Sequence, residues 1–462
     1  MDDTIAAIAT PLAEGGLGIV RISGKDAFLV ADGVAPLKNG QSWATVDDHT
    51  LHLTYVRRDD GQAVDQVLLS VFHAPGSFTG EDTVELNCHG GPLVLELVLE
   101  LVLANGARLA EAGEFTQRAF LNGKLDLTQA EAIIDLIKAR TRQGAQLAVE
   151  QLKGSLSAVV GEIRGRLLRV LAYQEASLDF PEDEIDDLAV GEIENELTAA
   201  MEQINRLIQS SDQGIIMRQG IKTAIVGRPN VGKSSLMNFL LGRERSIVTN
   251  IPGTTRDVIE ETVNFKGLPL VLLDTAGVRP TDDLVERLGV ERSWQGITEA
   301  QLVLVVLDVC DGITKEDLDL LQACVNKKVV VVLNKIDLKP EAGPALRKDL
   351  LDQFPEAVAV EISALQGTGL EELAAAIKEM VFHGAGGEVG ETALVTRTRH
   401  REHLRGAQSH LEDALKAVKD GLPADFIAID VASALKNLDE ITGDNVSEEL
   451  LNFIFQEFCI GK

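Results

Sequence analysis

The stretch "GRPNVGKSS", residues 227 to 235, constrains the fold more than any other in the chain. It follows the apolar run "KTAIV" and precedes "LMNFLLG", so it reads as strand, glycine-rich turn, helix. A turn of that spacing, Gly227, four residues, then Gly232-Lys233-Ser234, is a P-loop, and it demands an α/β unit around it. The backbone N–H groups of Asn230, Val231, Gly232, Lys233, Ser234 and Ser235 are expected to cradle phosphates at a helix N-terminus. Lys233 is assigned to the terminal phosphates, and Ser234 supplies a hydroxyl to Mg²⁺.

A chance glycine turn would not be followed by four further nucleotide elements in order. "TNIPGTTRD" is the first switch: Thr249, Asn250, Ile251, Pro252, Gly253 and Thr254 lead to Thr255, which completes the Mg²⁺ shell. "DTAG" follows a strand, with Asp274 as the Walker-B carboxylate, Thr275 and Ala276 after it, and Gly277 approaching the γ-phosphate. "NKID" brings Asn334, Lys335 and Asp337; the Asp337 carboxylate accepts from the N1 and N2 donors of guanine. "SAL" adds Ser363 and Ala364, whose backbone meets the guanine carbonyl. Adenine offers neither partner, and an unpaired Asp337 would reject it, so the ligand is GTP. The second switch carries Val278 where Ras-like GTPases place the glutamine that orients water. What takes over that task is not given by these motifs.

At 462 residues the chain has room for two or three domains. Residues 1 to 120 mix short strands with one helical run, "LVLELVLELVLANG", and read as an α+β domain. Residues 121 to 216 turn helical, residues 217 to 380 alternate strand and helix as a doubly wound unit, and residues 381 to 462 return to helix. The expected fold is therefore multidomain: an α+β N-terminal domain and an all-α helical domain into which a Ras-like α/β P-loop GTPase domain is inserted.

No apolar run reaches the length of a membrane span, and "MDDTIAAIATP" lacks the features of a signal peptide. The 4 cysteines are widely spaced, which suits a reducing compartment, and the expectation is a cytoplasmic protein with no membrane partner. A net charge of −29 argues against a general nucleic-acid binder, though not against RNA held at a local basic site.

Several other features have ordinary explanations. The acidic turn "LDFPEDEID" reads as a solvated loop, and Cys88-His89 is too small a set for a zinc site. "CIGK" departs from a prenylation box at Gly461 and Lys462. In "TRTRHREHLRG", Arg397, Arg401 and Arg405 share a helical face with Arg399 and His403 beside it. A solvated face is the usual reading of such a pattern, and it is also the best local candidate for RNA phosphate.

"GRPNVGKSSLMN", "TNIPGTTRD" and "DTAGVR" together resemble the potassium-activated branch of translation-factor-like GTPases. Beyond them, "TIAAIATP", "GGLGIVRISG", "SFTGEDTVELNCHGG", "AGEFTQRAFLNGKLDLTQAEAIIDLI" and the terminal "FCIGK" resemble the MnmE (TrmE) family of tRNA-modification GTPases, in the family's order. The resemblance implies K⁺ bound by Asn230, Thr249, the backbone of Ile251 and Thr254, doing the work of an arginine finger. It implies that Glu286 positions the attacking water through a second water; from the residues alone, Glu286 is a solvated helix carboxylate. It further implies a formyl-tetrahydrofolate bound by Arg21, Glu85, Lys124 and Lys462, and a place for Cys459 near the modification chemistry. A buried, inert thiol is the other reading of Cys459.

The partners implied are a second copy in a homodimer, tRNA, and the FAD-dependent MnmG (GidA) in a heterotetramer. The reaction implied adds an aminomethyl or carboxymethylaminomethyl group at C5 of the wobble uridine, position 34. The alternative is a ribosome-assembly or RNA-chaperone GTPase that acts as a non-modifying switch; the N-terminal motifs and "FCIGK" speak against it.

Overall fold

The computed structural model describes residues 3–179, 187–243, 261–273, 297–324, 327–355, 357–382 and 395–462. The chain forms two compact units: Met1–Ile134 with Gln151–Val160 and Lys436–Lys462, and Asp135–Glu150 with Gly161–Leu435.

The first unit is built on a six-stranded sheet of order β3-β4-β5-β2-β1-β6. Its strands are β1 (Ile5–Ile8), β2 (Gly15–Ser23), β3 (Thr50–Arg57), β4 (Ala63–Phe72), β5 (Thr83–Gly90) and β6 (Arg108–Leu109). Period-two patterning sends Val20, Ile22, Val84 and Leu86 to one face, where α1 (Ala27–Val34) and α2 (Pro92–Ala104) cover them. The opposite face carries the alternating residues, among them Arg21 and Glu85, which are cross-strand partners. The helix expected in "LVLELVLELVLANG" is α2; it opens with Pro92 and closes at Asn105. Helices α3 (Glu114–Leu121) and α4 (Leu127–Lys138) follow, then α5 (Arg142–Leu152) and α6 (Ser155–Asp179).

Helix α7 (Asp187–Gln219) leads into the second sheet, of order β12-β11-β10-β7-β9-β8. Here β7 (Ile221–Val226), β9 (Leu268–Leu272), β10 (Leu302–Asp308), β11 (Lys328–Asn334) and β12 (Val358–Glu361) run parallel, and β8 (Glu261–Phe265) is antiparallel at the edge. Runs such as "LVLVVL" are apolar throughout because both faces are covered, and every residue of β10 is buried. Helices α8 (Lys233–Arg243), α9 (Lys315–Ala323), α10 (Ala342–Gln353) and α11 (Leu370–Phe382) alternate with these strands. After them come α12 (Thr398–Lys419), α13 (Ala424–Thr442) and α14 (Glu448–Gln456). The α/β sheet thus lies in sequence between α7 and α12, as an insertion in helical chain. Among the described residues, the P-loop, "NKID" and "SAL" follow the carboxyl ends of β7, β11 and β12.

Candidate nucleotide site and a charged cluster beside the C-terminus

The P-loop occupies the turn from β7 to α8. Gly227 has φ 151°, and a Cβ there would meet the Val306 carbonyl oxygen at 2.4 Å; Gly232 has φ 103°, and a Cβ would strike Asn334 Nδ2. Asn230 is left-handed at φ 62°, which asparagine tolerates better than most residues. It is exposed, and among the described residues its side chain has no partner. Lys233 Nζ donates to the carbonyls of Gly227 and Arg228, both at 2.7 Å, and burial lowers its pKa. Ser234 and Ser235 are exposed at the first turn of α8.

Two anchors not foreseen from the sequence hold this loop. Arg228 Nε donates to both oxygens of Asp317, at 3.0 and 3.1 Å, and Asp317 is fully buried as the third residue of a capping box opened by Thr314. The spacing Thr314-Lys315-Glu316-Asp317 was a readable signal for the cap, but nothing local linked it to Arg228. The second anchor is Asn334. Its Nδ2 donates to the Val231 carbonyl and its Oδ1 accepts from the Ala364 N–H, each at 2.9 Å. One buried side chain therefore ties the phosphate loop to the "SAL" loop.

Lys335, left-handed at φ 68°, pairs through Nζ with Asp308 Oδ2 at 2.6 Å. Burial raises the pKa of Asp308, yet the Lys335 ammonium and the Cys310 N–H outweigh it, and the carboxyl titrates below its ordinary value. Asp337 is half-buried in the turn after β11, and its carboxylate has no partner among the described residues. Ser363 Oγ accepts from the Gln366 N–H at 3.2 Å and its backbone bridges Thr368. Thr249, Asn250, Ile251, Pro252, Gly253, Thr254, Thr255, Asp274, Thr275, Ala276, Gly277 and Glu286 lie outside the described residues.

In the first unit, the chain's last residues close against β1 and β2. Ala112 and Ile460 form a β-bridge, and Gly461 sits at φ 95° with Ile8 O only 2.4 Å from where a Cβ would stand. This brings Lys462 to Arg21 and Glu85. Arg21 Nε donates to Glu85 Oε1 at 2.8 Å, its Nη1 reaches the Gly461 carbonyl at 3.5 Å, and its guanidinium lies 5.8 Å from the Phe78 ring and 5.5 Å from the Phe115 ring. Burial and then the Arg21 charge lower the pKa of Lys462, against the opposing pull of Glu85. Lys124 does not join these contacts; it is exposed and donates to the Pro75 carbonyl at 2.7 Å. Cys459 is a free, exposed thiol, so the buried alternative does not hold.

A family model described as "GTP-binding protein TrmE N-terminus" matches residues 4–124, and one described as "MnmE helical domain" matches residues 127–459. The chain is 45% identical over 462 residues to the tRNA modification GTPase MnmE of Bacillus subtilis, covering 100% of both chains. It is 47% identical over 467 residues to the protein of that name from Moorella thermoacetica, again covering 100% of both. This chain belongs to the MnmE family. Among solved structures, an Era variant from Aquifex aeolicus matches 41% of this chain and 65% of its own at 32% identity, with a TM-score of 0.28.

MnmE membership fits the organisation of the chain, and one side reading of the sequence needs correction. The helical face of Arg397, Arg401 and Arg405 is not a free basic surface: Arg397 is buried and pairs with Asp135 at 2.8 Å, and Arg401 pairs with Asp212 at 2.6 Å. Only Arg405 of the three is exposed. Helical spacing located the face correctly, but it carries no information about the carboxylates on neighbouring helices. His89 pairs with Asp65 at 2.6 Å while Cys88 is buried, its pKa pushed up to about 12, chiefly by burial, so the two do not converge on a metal. No helix among the described residues is long and apolar enough to cross a membrane.

Proposed function

We propose that this MnmE-family chain hydrolyses GTP as part of a tRNA-modification enzyme that, with a flavoprotein of the MnmG (GidA) kind, adds an aminomethyl or carboxymethylaminomethyl group to C5 of the wobble uridine. The carrying observation is the side chain of Asn334, which holds the phosphate loop and the base loop together in a chain matched along its whole length by relatives named tRNA modification GTPase. The tRNA half of the reading rests on those relatives. We take the functional boundaries to be 120, 216 and 380, and the working assembly to be a cytoplasmic homodimer that joins its flavoprotein partner in a heterotetramer.

Each residue has a stated task in this reading. Lys233 and the N–H groups of Asn230 to Ser235 bind the phosphates, and Asp337 reads guanine while Ser363 and Ala364 offer backbone. Ser234 and Thr255 would hold Mg²⁺, with Asp274 behind them; the exposed Ser234 hydroxyl at the helix start fits that role. Asn230, Thr249, Ile251 and Thr254 would hold K⁺, and the exposed, unpartnered Asn230 side chain fits. A cation fixed there stabilises charge on the phosphates, an effect on the order of 10³–10⁵ in rate when an arginine supplies it. Glu286 would orient the attacking water in place of the glutamine missing at Val278. In the first unit, Arg21 and Lys462 suit anionic groups of a formyl-tetrahydrofolate, and Glu85 suits a donor edge. Lys124, which donates to the Pro75 carbonyl, would contribute a further cation, and Cys459 lies beside this cluster as a candidate for the modification step.

The test compares GTP turnover in K⁺ and Na⁺ at equal ionic strength and saturating nucleotide, alongside mass analysis of wobble uridine in cells lacking the protein. Strong K⁺ stimulation and loss of the C5 substituent are expected. Equal turnover in the two salts would remove the potassium assignment; unchanged uridine would remove the modifying role.

A further inference from the structure

The helix ends that flank the α/β insertion in sequence meet on one carboxylate. Helix α7 ends one residue before Gly220 and β7, and Arg218 in its last turn donates through Nε to Asp135 Oδ1 at 2.7 Å. Returning from the sheet, the chain reaches α12, and Arg397 at its N-cap donates through Nη2 to the same Oδ1 at 2.8 Å. Asp135 is largely buried, with a side-chain exposure of 7%, and among the described residues its Oδ2 has no hydrogen-bond partner. The guanidiniums of Arg218 and Arg397 balance its charge.

The returning chain is also stapled to α7 itself. A Cβ at Gly214 would stand 2.3 Å from the Val395 carbonyl oxygen, so only glycine lets the backbones approach this closely. Arg401 pairs with Asp212, and Gln408 Nε2 donates to Asn205 Oδ1 at 2.7 Å. Around the same junction Leu147, Met217 and Phe382 pack together; Phe382 is the last residue of α11. A domain inserted through two loose strands would turn without moving its host. Here the helix ends that flank the insertion are pinned to one buried charge, so a rotation passed to either end must break or carry the ion pairs.

We infer that Asp135 is a positioning residue that couples the nucleotide domain to the helices: it locks the helix ends on either side of the insertion, so that movement driven by GTP is delivered to the helical segments. This rests on the proposed function, in that the delivered movement serves tRNA modification. Among the described residues Asp135 touches no nucleotide motif, and on this inference hydrolysis itself does not require it.

The experiment uses the full chain with Asp135→Asn, which is isosteric and removes the charge, and with Arg397→Gln as a second variant that leaves Asp135 paired to Arg218. GTP turnover, wobble-uridine modification with the flavoprotein partner, and hydrogen exchange over residues 211–219 and 395–404 are measured for each. Exchange is compared between the GDP form and a transition-state-mimic form. Asp135→Asn should keep kcat and KM for GTP within about twofold, lose at least about tenfold in modification, and lose the nucleotide-dependent difference in exchange. Arg397→Gln should show the same split, more weakly. Modification that falls only in proportion to GTP turnover, or a retained nucleotide-dependent difference in exchange, would overturn the inference. A parent protein that hydrolyses GTP but modifies no tRNA would instead overturn the proposed function, and the exchange data would still judge the clamp.

Discussion

At the scale of single residues, the ion pair of Lys335 with Asp308 gives a test that does not depend on activity. Asp308 is 6% exposed, so without Lys335 its carboxylate keeps the Cys310 N–H but loses the opposite charge that offsets its desolvation. Lys335→Ala should therefore cost about 1–3 kcal/mol at neutral pH. The sign of the pH effect follows from the depressed pKa. The pair's stabilisation is complete above the ordinary carboxylate value of 3.8 and is lost as pH falls through the lower folded value. Urea denaturation of parent and variant should show a gap that is full at pH 7 and narrows below about pH 3.8. A gap that stays full as pH falls well below 3.8 would mean that Lys335 stabilises the turn by packing rather than by charge.

At the scale of elements, two short segments owe their shape to unusual backbone. In the phosphate loop, Asn230 combines a left-handed φ of 62° with a side chain assigned to K⁺, and two substitutions separate these contributions. Asn230→Gly keeps the turn at no steric cost, while Asn230→Ala adds about 1 kcal/mol of backbone strain. Both should lose K⁺ stimulation of turnover, and the alanine variant alone should also be less stable in thermal unfolding. Stimulation that survives in the glycine variant would show that the amide is not an ion ligand. The C-terminal segment poses the matching case. Gly461→Ala places a Cβ against Ile8 O in a left-handed conformation, so the tail should lift and carry Lys462 away from Arg21 and Glu85. Tetrahydrofolate affinity by titration should fall at least about tenfold with GTP turnover unchanged. An unaltered affinity would exclude the tail from the folate site.

At the scale of the whole molecule, the chain carries separate hydrophobic cores. One lies between the first sheet and α1 with α2, and others lie on the two faces of the second sheet. A ligand stabilises the core whose native state it binds. GDP at about 100 times its Kd should add roughly 2.7 kcal/mol to unfolding of the second unit. A tetrahydrofolate at comparable saturation should act on the first. Calorimetry with each ligand alone should thus move different transitions, whereas one transition moved equally by both would show a single cooperative unit.

The sequence by itself determined the nucleotide chemistry, because a P-loop and a guanine reader are local: each needs a few residues at fixed spacing, and the chain supplies them in order. It also determined the order of the fold, through apolar runs in the parallel strands and helical periodicity on either side. The clustering of Arg21, Glu85 and Lys462 was reached only by family resemblance, since 440 residues separate Arg21 from the Gly461 carbonyl it touches. Other features were legible nowhere in the sequence. Arg228 finds Asp317 across 89 positions, and Arg397 finds Asp135 across 262. An ion pair of that kind depends on which helix faces are brought together, and charges far apart in sequence leave no periodic trace. For that reason a stripe that reads as an open basic face became, in the folded chain, part of a buried clamp.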